Sequence, residues 1–217
     1  GGYAQAQYNL GTVYEFGHAG IVQNYEEAAR WYAKAAGQGD ANAQHMLGLL
    51  YDQGKGVEQN YSQAVKWYKM AAGQGDKRSQ FNLGAMYEAG GGVIQDKREA
   101  VTWYKRAAEQ GCAKAQHNLG RMYYEGNGVP QDYEKAYSLW RKAAAQGCAQ
   151  AQYNLGVRYD LGKGIAPDKV EAVRWYLKAA AQGYADAQFN LGVILSGDKG
   201  NESLQDCQAA VKWYRAA

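Results

Sequence analysis

Apolar positions along the chain keep a helical period. In the first stretch Ala6, Leu10, Val13 and Tyr14 fall three or four residues apart on one face. The pattern breaks at a glycine-containing loop and resumes in a second stretch that includes RWYAKAA, Arg30 to Ala36. The spacing predicts two short helices joined by a loop.

The same pair then returns along the whole chain. AQYNLG (Ala6 to Gly11) recurs as AQHMLG, SQFNLG, AQHNLG, AQYNLG and AQFNLG, with its glycine at 11, 48, 84, 120, 156 and 192. The second segment recurs in step as KWYKMAA, TWYKRAA, SLWRKAA, RWYLKAA and KWYRAA. Self-similarity at this period marks a stacked repeat array. It predicts an all-α chain of six two-helix repeats of about 36 residues, at 2–38, 39–74, 75–110, 111–146, 147–182 and 183–217, read as a single repeat domain. One repeat cannot bury both its faces, so stability should come from nearest-neighbour interfaces.

Punctuation agrees. First helices should stop at glycine pairs such as Gly54-Lys55-Gly56-Val57, where a positive φ is tolerated. Second helices open on Asn24, Asn60, Asp96, Asp132, Asp168 or Asp206, all preferred N-caps. Glu27, Gln63, Glu99 and Glu171 follow three residues later and predict reciprocal capping boxes. A glycine inside the first helix costs about 1 kcal/mol against alanine. Its recurrence calls for compensation, and the second helix offers a matching small column: Ala28, Ala64, Ala100, Ala136, Ala172 and Ala210. Tyr and Trp would fill the spaces between repeats, which accounts for 19 Tyr against 3 Phe. The Tyr14 column continues as Tyr51, Tyr87, Tyr123 and Tyr159, with Leu195 in the sixth repeat. Trp140 is displaced by one position, and Leu139 takes the usual Trp place.

The A-x-x-N-L-G-x-x-Y helix, the G-x-G-V loop and the A-V-x-W-Y-x-x-A-A-x-Q-G helix resemble the Sel-one-like repeat, a relative of the tetratricopeptide repeat, over all six units. The resemblance implies an α/α right-handed superhelical solenoid. It also implies an adaptor or scaffold, as in membrane-linked complexes, endoplasmic-reticulum degradation, and bacterial signalling and host contact. A cysteine-rich bacterial branch staples each unit with a disulfide at the positions of Ala36 and Gln44. Neither is Cys here, which argues against that branch and its penicillin-binding association.

Charge and chemistry narrow the reading. With 24 basic and 21 acidic residues the chain lacks the basic excess of a nucleic-acid binder. No apolar run approaches a membrane span. Cys112, Cys148 and Cys207 are an odd number and read as free thiols, which favours a reducing compartment. His45 and His117 share a column two units apart, roughly 20 Å, too far to hold one metal, and His18 sits in a loop. Neither phosphate-loop pattern is present, and no nucleophile–base pair supports the hydrolase activity claimed for cysteine-rich relatives. Asn60-Tyr61-Ser62 and Asn201-Glu202-Ser203 match the glycosylation sequon by chance, Asn60 being needed as a cap. The expectation is a non-enzyme without cofactor or metal. The chain begins and stops inside the pattern, so it reads as part of a longer protein.

By analogy with tetratricopeptide relatives, first helices line a concave groove. One column there is Tyr8, His45, Phe81, His117, Tyr153 and Phe189, which reads either as core packing or as an apolar strip for a partner. The next is Thr12, Leu49, Ala85, Arg121, Val157 and Val193. The third is Glu15, Asp52, Glu88, Tyr124, Asp160 and Ser196, whose carboxylates either bond the glycine-rich loop amides or favour a basic or amide-rich segment. Asn82, Asn118, Asn154 and Asn190, with Asn9, run beside the first, bonding either a peptide backbone or the neighbouring repeat. Lys34, Lys66, Lys105, Arg106, Arg141, Lys142, Arg174 and Lys178 read as a solvated outer face. The function expected is a monomeric scaffold that binds a protein or peptide through the groove. The alternative is a structural spacer in a larger protein, its groove empty.

Overall fold

The computed structural model describes residues 2–18 and 20–196. The sequence-predicted cap Asp206, the small residue Ala210, Cys207 and the Asn201 sequon lie outside them. Among the described residues there are eleven α-helices and no strand: α1 (Gly2–Phe16), α2 (Tyr25–Gly37), α3 (Ala41–Gln53), α4 (Tyr61–Gly73), α5 (Lys77–Ala89), α6 (Lys97–Glu109), α7 (Ala113–Glu125), α8 (Tyr133–Ala145), α9 (Ala149–Leu161), α10 (Lys169–Ala180) and α11 (Ala185–Ser196). Contacts divide the chain into two compact units, Gly1–Cys112 and Ala113–Ala217. The first holds α1 to α6 and the second α7 to α11.

In both units each first helix pairs with the second helix of its own repeat, and the second helix packs on the next first helix. The interior is built from small residues. Ala28, Ala64, Ala100, Ala136 and Ala172 are fully buried, as are Ala35, Ala71, Ala107, Ala143 and Ala179 about two turns further on. Over them lie Tyr32, Tyr68, Tyr104 and Tyr176, fully buried, and Trp140 in the same seat of the fourth repeat.

These aromatic rings, more than the alanine column, explain the glycine inside α1, α3, α5, α7 and α9. A Cβ on Gly84 would stand 2.7 Å from Cδ1 of Tyr104, and one on Gly156 would stand 2.6 Å from Cδ1 of Tyr176. The alanine column contributes at Gly48 and Gly120, where the Ala64 and Ala136 carbonyls come within 3.3 and 3.2 Å of the same point. The displaced Trp140 is therefore a substitution of one ring for another on Gly120, with its Nε1 donating to the His117 carbonyl at 3.0 Å.

The caps form as expected, with one correction. Asn24, Asn60, Asp96, Asp132 and Asp168 each accept backbone N–H groups of the first turn. The reciprocal half of the capping box does not form. The N-cap N–H groups donate instead to the first helix, Asn24 to the Tyr14 carbonyl at 2.8 Å and Asn60 to that of Tyr51 at 2.9 Å. Glu27 and Glu171 turn to Arg30 and Arg174, and Glu99 accepts from the Trp103 indole. The cap thus ties the two helices of a repeat together. In the loop, Gly56 has φ +68°, and a Cβ there would lie 2.2 Å from the Tyr25 carbonyl carbon, so the loop rests on the preceding second helix.

Candidate interaction surface

Three glutamine sets, missed as functional positions in the sequence, hold the first helices in place. Gln44 is 1 % exposed and donates Nε2 to the Ala36 carbonyl of the preceding repeat at 3.2 Å. Gln80, Gln152 and Gln188 do the same to Ala72, Ala144 and Ala180. Gln74 then donates to Oε1 of Gln44 at 2.8 Å, and Gln110, Gln146 and Gln182 repeat that bond to Gln80, Gln116 and Gln152. In the loops, Gln23, Gln59, Gln95 and Gln131 each donate to a first-helix carbonyl at 2.7 Å, those of Glu15, Asp52, Glu88 and Tyr124. A side chain that satisfies an end-of-helix carbonyl in one repeat after another explains why Gln recurs; in the fifth repeat Pro167 takes the loop position. The recurrence itself was the available signal.

On this frame the aromatic column packs ring against ring in the first, second, third and fifth repeats. Tyr8, His45, Phe81 and Tyr153 lie 5.7, 6.0, 5.8 and 5.9 Å from the rings of Tyr32, Tyr68, Tyr104 and Tyr176. These are tilted pairs at favourable separations. His45 is buried, with Nδ1 2.9 Å from the Ser79 hydroxyl and 3.5 Å from an Asp76 carboxylate oxygen. Burial outweighs that carboxylate and lowers its pKa to about 4. His117 is also lowered by burial; its ring meets Asn118 and Asn154, each at 3.1 Å. Phe189 is 71 % exposed.

The carboxylate column takes the hydroxyl of the buried tyrosine rather than loop amides. Tyr32 donates to Glu15 at 2.5 Å, Tyr104 to Glu88 at 2.8 Å and Tyr68 to Asp52 at 3.4 Å. Burial pushes the Tyr32 and Tyr68 phenols up, and the adjacent carboxylates push them further. Burial also raises the Asp52 carboxyl, against the opposing hydrogen bond from Tyr68. Asp160 pairs with Lys169. Tyr176, pushed up to about 12 by burial, has its hydroxyl 3.3 Å from the Asn190 amide as acceptor. In the fourth repeat both members change together: Trp140 has no hydroxyl to place, and Tyr124 replaces the carboxylate, its ring 5.4 Å from Trp140. The Arg158 guanidinium stacks 4.1 Å from the Tyr124 centroid and donates to its hydroxyl.

The Asn column contributes to neighbour contacts as well. Asn82 bonds the Tyr68 hydroxyl of the preceding repeat, as Asn190 does that of Tyr176, while Asn9 accepts from Gln5 at 2.9 Å. What stays variable is the middle column. Thr12, Leu49, Ala85, Arg121 and Val157 are half-buried and Val193 is exposed. Arg121 pairs with Glu125 at 3.1 Å. On the second helices Lys34, Arg106 and Lys178 sit over Trp31, Trp103 and Trp175 at 3.8, 4.5 and 4.3 Å. Cys112 and Cys148 are free thiols at the starts of α7 and α9, where earlier repeats use Asp40 and Asp76. Among the described residues no group of three or more His, Cys, Asp or Glu is placed to hold a metal, and no helix is long and apolar enough to cross a membrane.

Geometry of this kind, one helical hairpin copied along the chain with its small and leucine core columns kept and its more exposed columns varied, defines an α/α solenoid repeat protein. The pattern of the Sel1 repeat matches residues 4–40, 41–76, 77–112, 113–148, 149–184 and 185–217. The chain belongs to the Sel1 repeat family. It is similar over 98 % of its length to a Sel1 repeat protein from Oxalobacter formigenes, at 36 % identity and a TM-score of 0.83, covering 87 % of that chain. It is also similar to c5321, described as a protective antigen present in uropathogenic Escherichia coli strains and displaying an SLR fold. That match has 32 % identity and a TM-score of 0.55, and covers 98 % of this chain and 54 % of that one. Among curated proteins, the ERAD-associated E3 ubiquitin-protein ligase component HRD3A of Arabidopsis thaliana is 34 % identical over 55 residues, which is 25 % of this chain and 8 % of that protein. Sel1 repeat proteins are generally scaffolds for protein interaction rather than catalysts.

Proposed function

We propose that this chain is a protein-interaction scaffold that binds an extended protein segment along a concave groove lined by its first helices. The observation that carries the reading is the contrast between columns. The leucines, mid-helix glycines and tyrosines that build the repeat barely change. The column Thr12, Leu49, Ala85, Arg121, Val157 and Val193, half-buried except at exposed Val193, carries apolar, polar and charged side chains on one backbone position. A fixed frame presenting a varied strip is what specific recognition of a segment requires. The aromatic, carboxylate and Asn columns (Tyr8, His45 and Phe81; Glu15, Asp52 and Glu88; Asn82 and Asn154) serve the frame through the bonds described above. In this reading they form the floor that positions the strip.

The test is capture with the chain as bait, compared between variants by quantitative mass spectrometry. Leu49→Lys with Ala85→Lys should weaken capture of an enriched partner about tenfold, as expected for hot-spot positions. The outer-face variant Lys66→Ala should leave capture intact. A partner held equally by both variants rules out the groove, and a bait that enriches nothing favours the spacer reading.

A further inference from the structure

A cavity lies where the first repeat meets the second. It lies between α2 and α3 with its following loop and measures about 290 Å³. Ala29, Leu47 and Val57 line it with apolar surface, and Ala33, Tyr51 and Glu26 complete the wall. Ala33 stands where later repeats carry Lys69, Lys105, Arg141 and Leu177, and Ala29 where they carry Val65, Val101, Tyr137 and Val173. Both side chains are short on one face of α2, which leaves Tyr51 without the cation that its counterparts meet; a space of about 430 Å³ also lies at the same columns of the fourth repeat, beside Tyr137 and Arg141.

Later repeats show what the side chain at the position of Ala33 meets. One repeat on, Lys69 holds its ammonium 5.4 Å from the centroid of the Tyr87 ring. Between the fourth and fifth repeats, Arg141 donates Nη2 to the Tyr159 hydroxyl at 2.7 Å. Tyr51 is the counterpart of both tyrosines, and with alanine at position 33 its ring faces the cavity. Charge fits the same occupant. Glu26 lines the rim, and the one lining cation, Arg30, is turned to Glu27 at 2.5 Å.

We propose that this cavity is a docking site for the lysine or arginine side chain of a basic segment in a partner protein. The aliphatic stem lies along Ala29 and Val57, the cationic head reaches the Tyr51 ring, and Glu26 supplies the counter-charge. The site is on the second-helix side of the repeat and is separate from the groove strip, so it stands or falls independently of that reading.

The probe is the peptide acetyl-Gly-Arg-Gly-amide, titrated into the whole chain while the backbone amides of Leu47, Tyr51, Gly56 and Val57 are followed by NMR. Its control is the same peptide with citrulline, which keeps the shape and removes the charge. The arginine peptide should shift these amides saturably, and the citrulline peptide should bind about fivefold more weakly. In Ala33→Lys, an exposed position where the substitution restores the cation of the later repeats, affinity for the arginine peptide should also fall about fivefold. The proposal is overturned if the amides do not respond saturably, if both peptides act alike, or if Ala33→Lys binds as the parent does. It is equally overturned if the same amides shift when the protein alone is concentrated, since a second copy of the chain would then be the occupant.

Discussion

A tyrosine ring laid flat on a glycine sets the tolerance of each repeat to substitution. Gly84 and Gly73 are both helical glycines, and intrinsic propensity favours alanine at each by up to about 1 kcal/mol. They differ in what a methyl group would meet. At Gly84 it meets the fully buried Tyr104 ring at 2.7 Å, whereas at Gly73 nothing lies within 4 Å. Gly84→Ala should therefore destabilise by about 1–3 kcal/mol through overpacking. Gly73→Ala should be neutral or stabilising by up to about 1 kcal/mol. Urea unfolding followed by circular dichroism reads both. Equal effects would mean that the ring gives way without cost. That the glycine needed a close neighbour was legible in the sequence from its recurrence. That the neighbour is an aromatic ring was not, because the column pattern gives the positions on each helix without the rotation that decides which one faces the glycine. The carboxylate column shows the same gap. Glu15, Asp52 and Glu88 were legible as a recurring charge, and their phenol partners lie 16 or 17 residues away on another helix.

Between elements, the links follow from one repeat's departures being matched in the next. His45 replaces an aromatic ring in α3, and Ser79 replaces the alanine of its column in α5; the two meet at 2.9 Å. Asp76 and Arg78 are the charged groups that act on the imidazole, and burial exceeds both, so it stays neutral with a pKa near 4 against 6.5 in the unfolded chain. Between those values the unfolded state holds a proton that the folded state does not. The contribution is therefore complete above about pH 6.5 and is lost as the pH falls toward 4, by about 2–3 kcal/mol at the lower end. His45→Phe with Ser79→Ala restores the residues found at those positions in other repeats and removes this term. Its loss of stability between pH 7 and pH 4.5 should be smaller than the parent's by about 2 kcal/mol in urea unfolding. An unchanged difference would place the acid sensitivity elsewhere. The helix boundaries and caps were legible because Asn, Asp and Gly carry the geometry in their own side chains. The missing half of the capping box was not, because the N-cap N–H finds the Tyr14 or Tyr51 carbonyl of the partner helix.

At the scale of the whole chain, repetition is a division of labour. Leucine, alanine and tyrosine columns bury the interior, and glutamines satisfy the helix ends, so little is left in any repeat to carry specificity except the strip on the first helix and the space between a second helix and the first helix that follows it. The repeat class was legible from spacing alone because six copies average out local irregularities. The proposed interaction surface was legible only as a set of columns, since half-buried rings and carboxylates look alike in sequence whether they meet a partner or each other. A photo-crosslinking phenylalanine analogue placed at position 49 or 85, and at the outer position 66 as control, reads that surface most directly. With a captured partner present, crosslinks should form from positions 49 and 85, map to one continuous segment of that partner, and be absent from 66. Crosslinks from position 66 alone, or from all three to scattered sites, would contradict the scaffold's use of its first-helix face.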